Sequence, residues 1–206
     1  MDAIAYLALG GVFTSAMSGN TILLGMALGQ GRLAAAERSL AAFAGYVLGV
    51  AGAAVTLRAS GLSIRRTVGI ELLLLAIFAA WWTMSGGAEE PVELYGLIVL
   101  SAVAMGLQGG IGRAIGVSGV STIVVTSTLT AIVGVLAERA LARQRPLAPP
   151  VTRQQIAAFA AYLISAGIGG AAVWVGWLAA VPFVPLAAVL ALWLALQSGF
   201  VRLEPS

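Results

Sequence analysis

The sequence predicts an all-α polytopic membrane protein: a bundle of about six or seven transmembrane helices made of two internal, inverted repeats with broken helices. Three observations carry that expectation. Hydrophobic residues make up 60% of the 206 and charged residues only 9%, against roughly 25% charged in a soluble domain. The apolar residues come in long blocks parted by brief polar breaks, each near the roughly 20 residues that a spanning helix needs. Two stretches of the chain also match one another, in the same order.

In chain order, residues 3–30 are apolar but interrupted at Thr14-Ser15-Ala16-Met17-Ser18-Gly19-Asn20-Thr21, a run that a continuous lipid-facing helix would avoid. Ser18, Gly19, Asn20 and Thr21 read as an N-cap before the apolar run Ile22-Leu23-Leu24. Uninterrupted spans follow at 39–57, 68–85, 93–112, 118–138, 155–176 and 180–200. The connection 138–153 carries Arg139, Arg143, Arg145 and Arg153 with three prolines, an interfacial loop. Gly45, Gly49 and Gly52 on one helix, and Gly167, Gly169, Gly170 and Gly176 on another, read as close-packing positions. Trp81, Trp82, Trp174, Trp177 and Trp193 lie mostly near span ends, as an aromatic belt would. The start, Met1-Asp2-Ala3-Ile4, lacks the basic region and cleavage site of a secretory signal, so no removal is expected.

The repeat aligns Ala41-Ala42-Phe43-Ala44-Gly45-Tyr46 with Ala157-Ala158-Phe159-Ala160-Ala161-Tyr162, and both runs reach Gly-Ala-Ala-Val, at 52–55 and 170–173. Upstream, Thr14 and Ser18 align with Thr122 and Thr126. The whole chain, 1–206, is then one membrane domain with a first unit near 2–85 and a second near 93–200. If each broken segment crosses once in net terms, Arg58, Arg65, Arg66, Arg139, Arg143, Arg145, Arg153 and Arg202 share one side, with Arg32 and Arg38 opposite. If every segment crosses fully, four arginines face seven. The positive-inside bias favours the first arrangement, hence inverted repeats and a cytoplasmic C-terminus.

Composition excludes whole chemistries. The chain has no cysteine and no histidine, and all 11 basic residues are arginine. Thiol nucleophiles, Cys/His zinc sites, imidazole bases and Schiff-base lysines are therefore impossible. An enzyme is not expected, nor a cofactor, nor a metal. The arginines are scattered over loops rather than gathered on one face, so nucleic acid is not an expected partner.

Irregular backbone at membrane depth is tolerated only inside protein or beside a wet cavity. The breaks therefore nominate a binding site for a small polar or anionic solute: Thr14, Ser18, Gly19, Asn20 and Thr21 in the first unit, Thr122, Thr126, Ser127 and Thr128 in the second. The plainer alternative is that these hydroxyls cap helices or bond back within one. Gln108 and Arg113 join the candidates; Arg113 is either a solute counter-charge or an interfacial snorkelling residue. Asp2 falls at the repeat-equivalent of Gly109, beside the same cavity or at a loose tip. Glu71 is either a proton-coupling carboxylate or pairs with Thr67 or an arginine near the interface.

Asp2-Ala3, then Phe13, then Met17-Ser18-Gly19-Asn20-Thr21, and later Gly106-Leu107-Gln108, Arg113, Thr122, Thr126 and Thr128, resemble the YoaK-like bacterial membrane family, a domain of unknown function. Ser18 stands where that family has Thr, Gly109 where it has Asn, Ser121 where it has Thr and Ser127 where it has Gly, and the apolar half-helix before Asp2 is missing. The resemblance implies a bacterial cytoplasmic (inner) membrane protein and names no substrate. A small secondary transporter or permease is the leading expectation, with membrane lipid and a small solute as partners and a homo-oligomer allowed. A channel or a non-transporting membrane scaffold is the alternative.

Overall fold

The computed structural model describes residues 1–59, 63–114, 129–130, 133–134, 137 and 153–198, and among them it holds seven α-helices and no strand. These are α1 (Asp2–Ala8), α2 (Met17–Gly29), α3 (Leu33–Ala54), α4 (Ile64–Ser85), α5 (Pro91–Ala114), α6 (Arg153–Trp174) and α7 (Phe183–Gln197). The span expected at 118–138 lies mostly outside the described residues. Leu33–Arg58, Ile64–Ser85 and Pro91–Ala114 are long and apolar enough to cross a membrane. The 22 residues of α4 rise about 33 Å, matching a hydrocarbon core about 30 Å thick. With 7 and 13 residues, α1 and α2 are each too short to cross alone.

Two helices begin earlier than expected, α3 at Leu33 rather than 39 and α4 at Ile64 rather than 68. Helical backbone satisfies itself at any depth, so Glu37, Arg38, Arg65 and Arg66 are taken into the helices while their long side chains reach outward. At its other end α3 widens into a π-turn, Val55–Ala59, and the Thr56 hydroxyl donates to the Gly52 and Ala53 carbonyls at 2.9 and 3.1 Å. Beyond α6, Gly176 has φ +80° and turns the chain before position 177, which ends that span at Trp174.

The tightest contact joins α3 to α5 backbone on backbone. A Cβ placed on Gly45 would come within 2.9 Å of the Val99 carbonyl, and one on Gly49 within 2.8 Å of the Leu107 amide. A Cβ on Gly106 would meet the Tyr46 carbonyl, and one on Gly110 the Ala53 methyl. Small residues four apart on both helices thus form one seam, which lipid alone would not drive together. The glycines of α6 differ: among the described residues, a Cβ at Gly167 or Gly170 would meet nothing within 4 Å, and only Gly169 has neighbours, Ala3 and Ile4.

These contacts fix helix directions. Gly45, Gly49 and Ala53 meet α5 at successively later residues, so α3 and α5 run parallel. Asp2 meets Tyr162 and Ile4 meets Gly169, so α1 and α6 run parallel as well. Trp82, near the end of α4, donates from its indole to the Leu178 carbonyl at 3.0 Å, while Gly69 near its start faces Trp193; α4 and α7 are antiparallel. Two cores sit between the helices, one around Leu9, Phe78, Trp82, Leu97 and Ile98, the other around Val68, Leu75, Leu107 and Val189. Trp82 is 4% exposed and belongs to the first core, whereas Trp174 and Trp177 lie exposed as belt residues would. Leu48 and Leu163 stand more than half exposed, an outward apolar face that suits lipid.

Candidate functional site

Between α1 and α2 the chain leaves helical geometry for eight residues, Leu9 to Ala16. Gly10 and Gly11 have φ of +75° and +80°, a turn that L side chains resist. Arg38 of α3 donates from Nε to the Gly10 carbonyl at 3.0 Å. Three consecutive amides that a helix would have satisfied are then met by side chains. The Phe13 N–H donates to Asn20 Oδ1 at 2.9 Å, and Asn20 Nδ2 returns a bond to the Phe13 carbonyl at 2.5 Å. The Thr14 and Ser15 N–H groups donate to Asp2 Oδ1 at 2.8 and 2.7 Å. The Thr14 hydroxyl reaches the same oxygen at 3.1 Å, and the Ser15 hydroxyl reaches Oδ2 at 2.5 Å. The segment is therefore clasped from both flanks, by a carboxylate on α1 and an amide on α2. Asp2, Thr14 and Asn20 are all buried.

Asp2 also accepts a long hydrogen bond, 3.4 Å, from the Tyr162 hydroxyl of α6. Tyr46 of α3 is half-buried, and its hydroxyl would stand 2.7 Å from a Cβ at Gly109. One residue earlier on α5, Gln108 donates from Nε2 to Glu71 Oε1 at 2.9 Å. Glu71 is 1% exposed, and Gln108 is its sole hydrogen-bond partner among the described residues. Two polar contacts thus bridge helices distant in sequence, Tyr162 to Asp2 and Gln108 to Glu71, with the Tyr46 hydroxyl beside Gly109. No cluster of three or more acidic side chains suited to a metal ion occurs among the described residues.

The family model whose description is "Protein of unknown function (DUF1275)" matches residues 1–196. The chain belongs to that family. A transmembrane relative, UPF0700 transmembrane protein YoaK of Bacillus subtilis (strain 168), is 34% identical over 139 residues, which make up 64% of this chain and 59% of the relative. The chain therefore spans about three fifths of that relative's length. No solved structure matches. The resemblance read from Met17–Thr21 and Gly106–Gln108 holds, and with three apolar spanning helices the chain is a membrane protein of an uncharacterised family.

Several site expectations change in detail. Helix α2 starts at Met17 with Ala16 at its cap and no side-chain cap bond, so Ser18 is not the cap. Ser18 and Thr21 are exposed, and Thr21 bonds back to the Met17 carbonyl at 2.9 Å. Gly19 is needed for packing, since a Cβ there would lie 2.8 Å from the Phe13 ring. Asp2 is a buried anchor rather than a loose tip. Glu71 pairs with neither Thr67 nor an arginine: the Thr67 hydroxyl turns back to the Ser63 carbonyl at 3.3 Å, Arg65 and Arg66 are exposed, and Glu71 faces α5 instead. Arg113 is exposed at the end of α5. Thr122, Thr126, Ser127 and Thr128 lie outside the described residues. Ser15, Tyr46 and Tyr162 are the functional-site residues that sequence reading missed; the tyrosines were signalled, since both end the matched run of the repeat.

Proposed function

We propose that the protein is a small secondary transporter for a small polar or anionic solute, driven through the two buried carboxylates Asp2 and Glu71 and their partners. One observation carries this reading. Both buried carboxylates bond across the halves, Asp2 of the first to Tyr162 of the second, and Glu71 of the first to Gln108 of the second. Ionisable groups inside a membrane bundle are costly and mark ion or substrate routes. A proton that joins or leaves such a carboxylate changes the bond that ties one half to the other, the coupling that alternating access requires.

Helix directions support inverted repeats. In the alignment α1 corresponds to α5, α3 to α6 and α4 to α7; α4 and α7 are antiparallel by contact, and the other two pairs follow because the short turn 86–90 reverses α5 against α4 and Leu178 sets the end of α6 beside the end of α4. The cross-contacts also exchange: Tyr162 meets Asp2, and Tyr46 meets Gly109, its aligned counterpart. The arginine bias then supports a cytoplasmic position for the end of the bundle holding Ser63 and Gln197, in a bacterial inner membrane. An anionic solute would find its counter-charge in Arg113, exposed at the end of α5, and an amide donor in Gln108.

The test is reconstitution into liposomes holding a pH-sensitive dye, with monocarboxylates, amino acids and inorganic anions offered in turn. Wild-type protein is expected to move at least one of them together with protons. Glu71→Gln keeps the shape and the Gln108 contact, and is expected to lose solute-linked proton movement while remaining monodisperse in detergent. Unitary currents would favour a channel. The saturation of Asp2 and Asn20 by internal partners supports a second reading, a non-transporting scaffold whose first break is a brace. Failure of every offered solute to move or to stabilise the wild-type protein would decide for it.

A further inference from the structure

The start of α4 and the end of α7 enclose an open groove of about 270 Å³, lined by Arg65, Arg66, Ile70, Leu73, Trp193 and Gln197. We infer that this groove binds an anionic glycerophospholipid, the phosphate on the two arginines and an acyl chain along Ile70 and Leu73. The inference does not depend on the transport reading.

Charge is the first argument. Arg65 and Arg66 stand side by side in the first turn of α4, where a cation opposes the helix dipole, so helix stability does not explain them. Among the described residues no carboxylate pairs with either, and Glu71, the nearest acid on the same helix, is turned to Gln108. Two guanidiniums beside one groove, with no carboxylate partner among the described residues, are a planar, multidentate match for a phosphodiester.

The second argument is the polarity gradient along the groove. Arg65 and Arg66 open the helix, while Ile70 and Leu73 follow one to two turns deeper into the membrane, with Leu73 59% exposed. Opposite them is the indole of Trp193, whose Nε1 lies 3.5 Å from where a Gly69 Cβ would be. Gly69 thus leaves the indole room at headgroup depth, where tryptophan is favoured. A free phosphate would use only the cationic end, whereas a phospholipid fits both. Basic pockets between spanning helices are a recurring means of holding such headgroups.

The test measures thermal stabilisation of the full chain in dodecyl maltoside on titration with dioleoylphosphatidylglycerol, dioleoylphosphatidylcholine or inorganic phosphate. A saturable rise with phosphatidylglycerol alone is expected. Arg65→Gln with Arg66→Gln is expected to weaken it roughly thirty-fold, from about 1 kcal/mol per arginine, while Arg65→Lys with Arg66→Lys, which keeps the charge and loses the fork, is expected to fall between that variant and the wild type. Arg32→Gln, which removes a charge at the other end of α3, is expected to leave the titration unchanged. If the double glutamine variant does not fold, Leu73→Trp, which fills the groove and keeps both charges, is expected to abolish the rise. Equal half-saturation by phosphatidylcholine, a full shift with phosphate, or an equal loss in Arg32→Gln would each overturn the inference.

Discussion

Asn20 satisfies both backbone groups of Phe13, and no other natural side chain of its size offers one acceptor and one donor in that geometry. Asn20→Ala strands two partly buried groups, at about 1–3 kcal/mol each. Thermal unfolding in detergent is expected to fall by an amount corresponding to about 2–6 kcal/mol. Asn20→Asp keeps the acceptor but turns an anion toward the Phe13 carbonyl, and is expected to be no better tolerated. Asp2→Asn retains an acceptor for the Thr14 and Ser15 amides and loses only the charge, so its cost is expected below that of Asp2→Ala; the reverse order would show that the clasp is not what holds the segment. Asp2 and Asn20 were legible in the sequence as polar residues in an apolar stretch. Their partners were not, because Phe13, Thr14 and Ser15 offer only backbone, which no side-chain pattern records.

The α3–α5 seam is the element most sensitive to side-chain size. Gly49→Val and Gly106→Val each push a side chain into the backbone of the facing helix, so a loss of about 3 kcal/mol or more is expected, beyond ordinary overpacking. Gly167→Ala, with no neighbour within 4 Å among the described residues, is expected to stay within about 0.5 kcal/mol. Comparative melting of the three variants checks both statements. Sequence reading marked both sets of glycines as packing positions. It separated neither set from the other, since a glycine facing a neighbour and one with no described neighbour sit in equally Ala-rich helices. Element existence was legible from apolar run length. The boundaries shifted where charged residues joined the helices, since a long side chain reaches the interface from a helical position as well as from a loop.

For the whole molecule, helix directions place the turns at 29–33, 86–90 and 175–182 at one end of the bundle, with Ser63 and Ser198 at the other. The chain has no cysteine, so single cysteines report without background. With a membrane-impermeant maleimide on intact cells, Gln30→Cys and Glu89→Cys are expected to label, and Ser63→Cys and Ser198→Cys only after the membrane is opened. Any mixture within either pair would remove the inverted arrangement. The matched runs ending in Tyr46 and Tyr162 were legible in the sequence, but the contact of Tyr162 with Asp2 is a consequence of the fold. The two buried carboxylates also differ in when their partners are made. The Asp2 carboxylate finds the Thr14 and Ser15 donors within its own first segment, whereas Glu71 must wait for Gln108, 37 residues later. Until α5 arrives, the nascent chain carries one carboxylate whose donors are already synthesised and one that still lacks the partner of the finished fold.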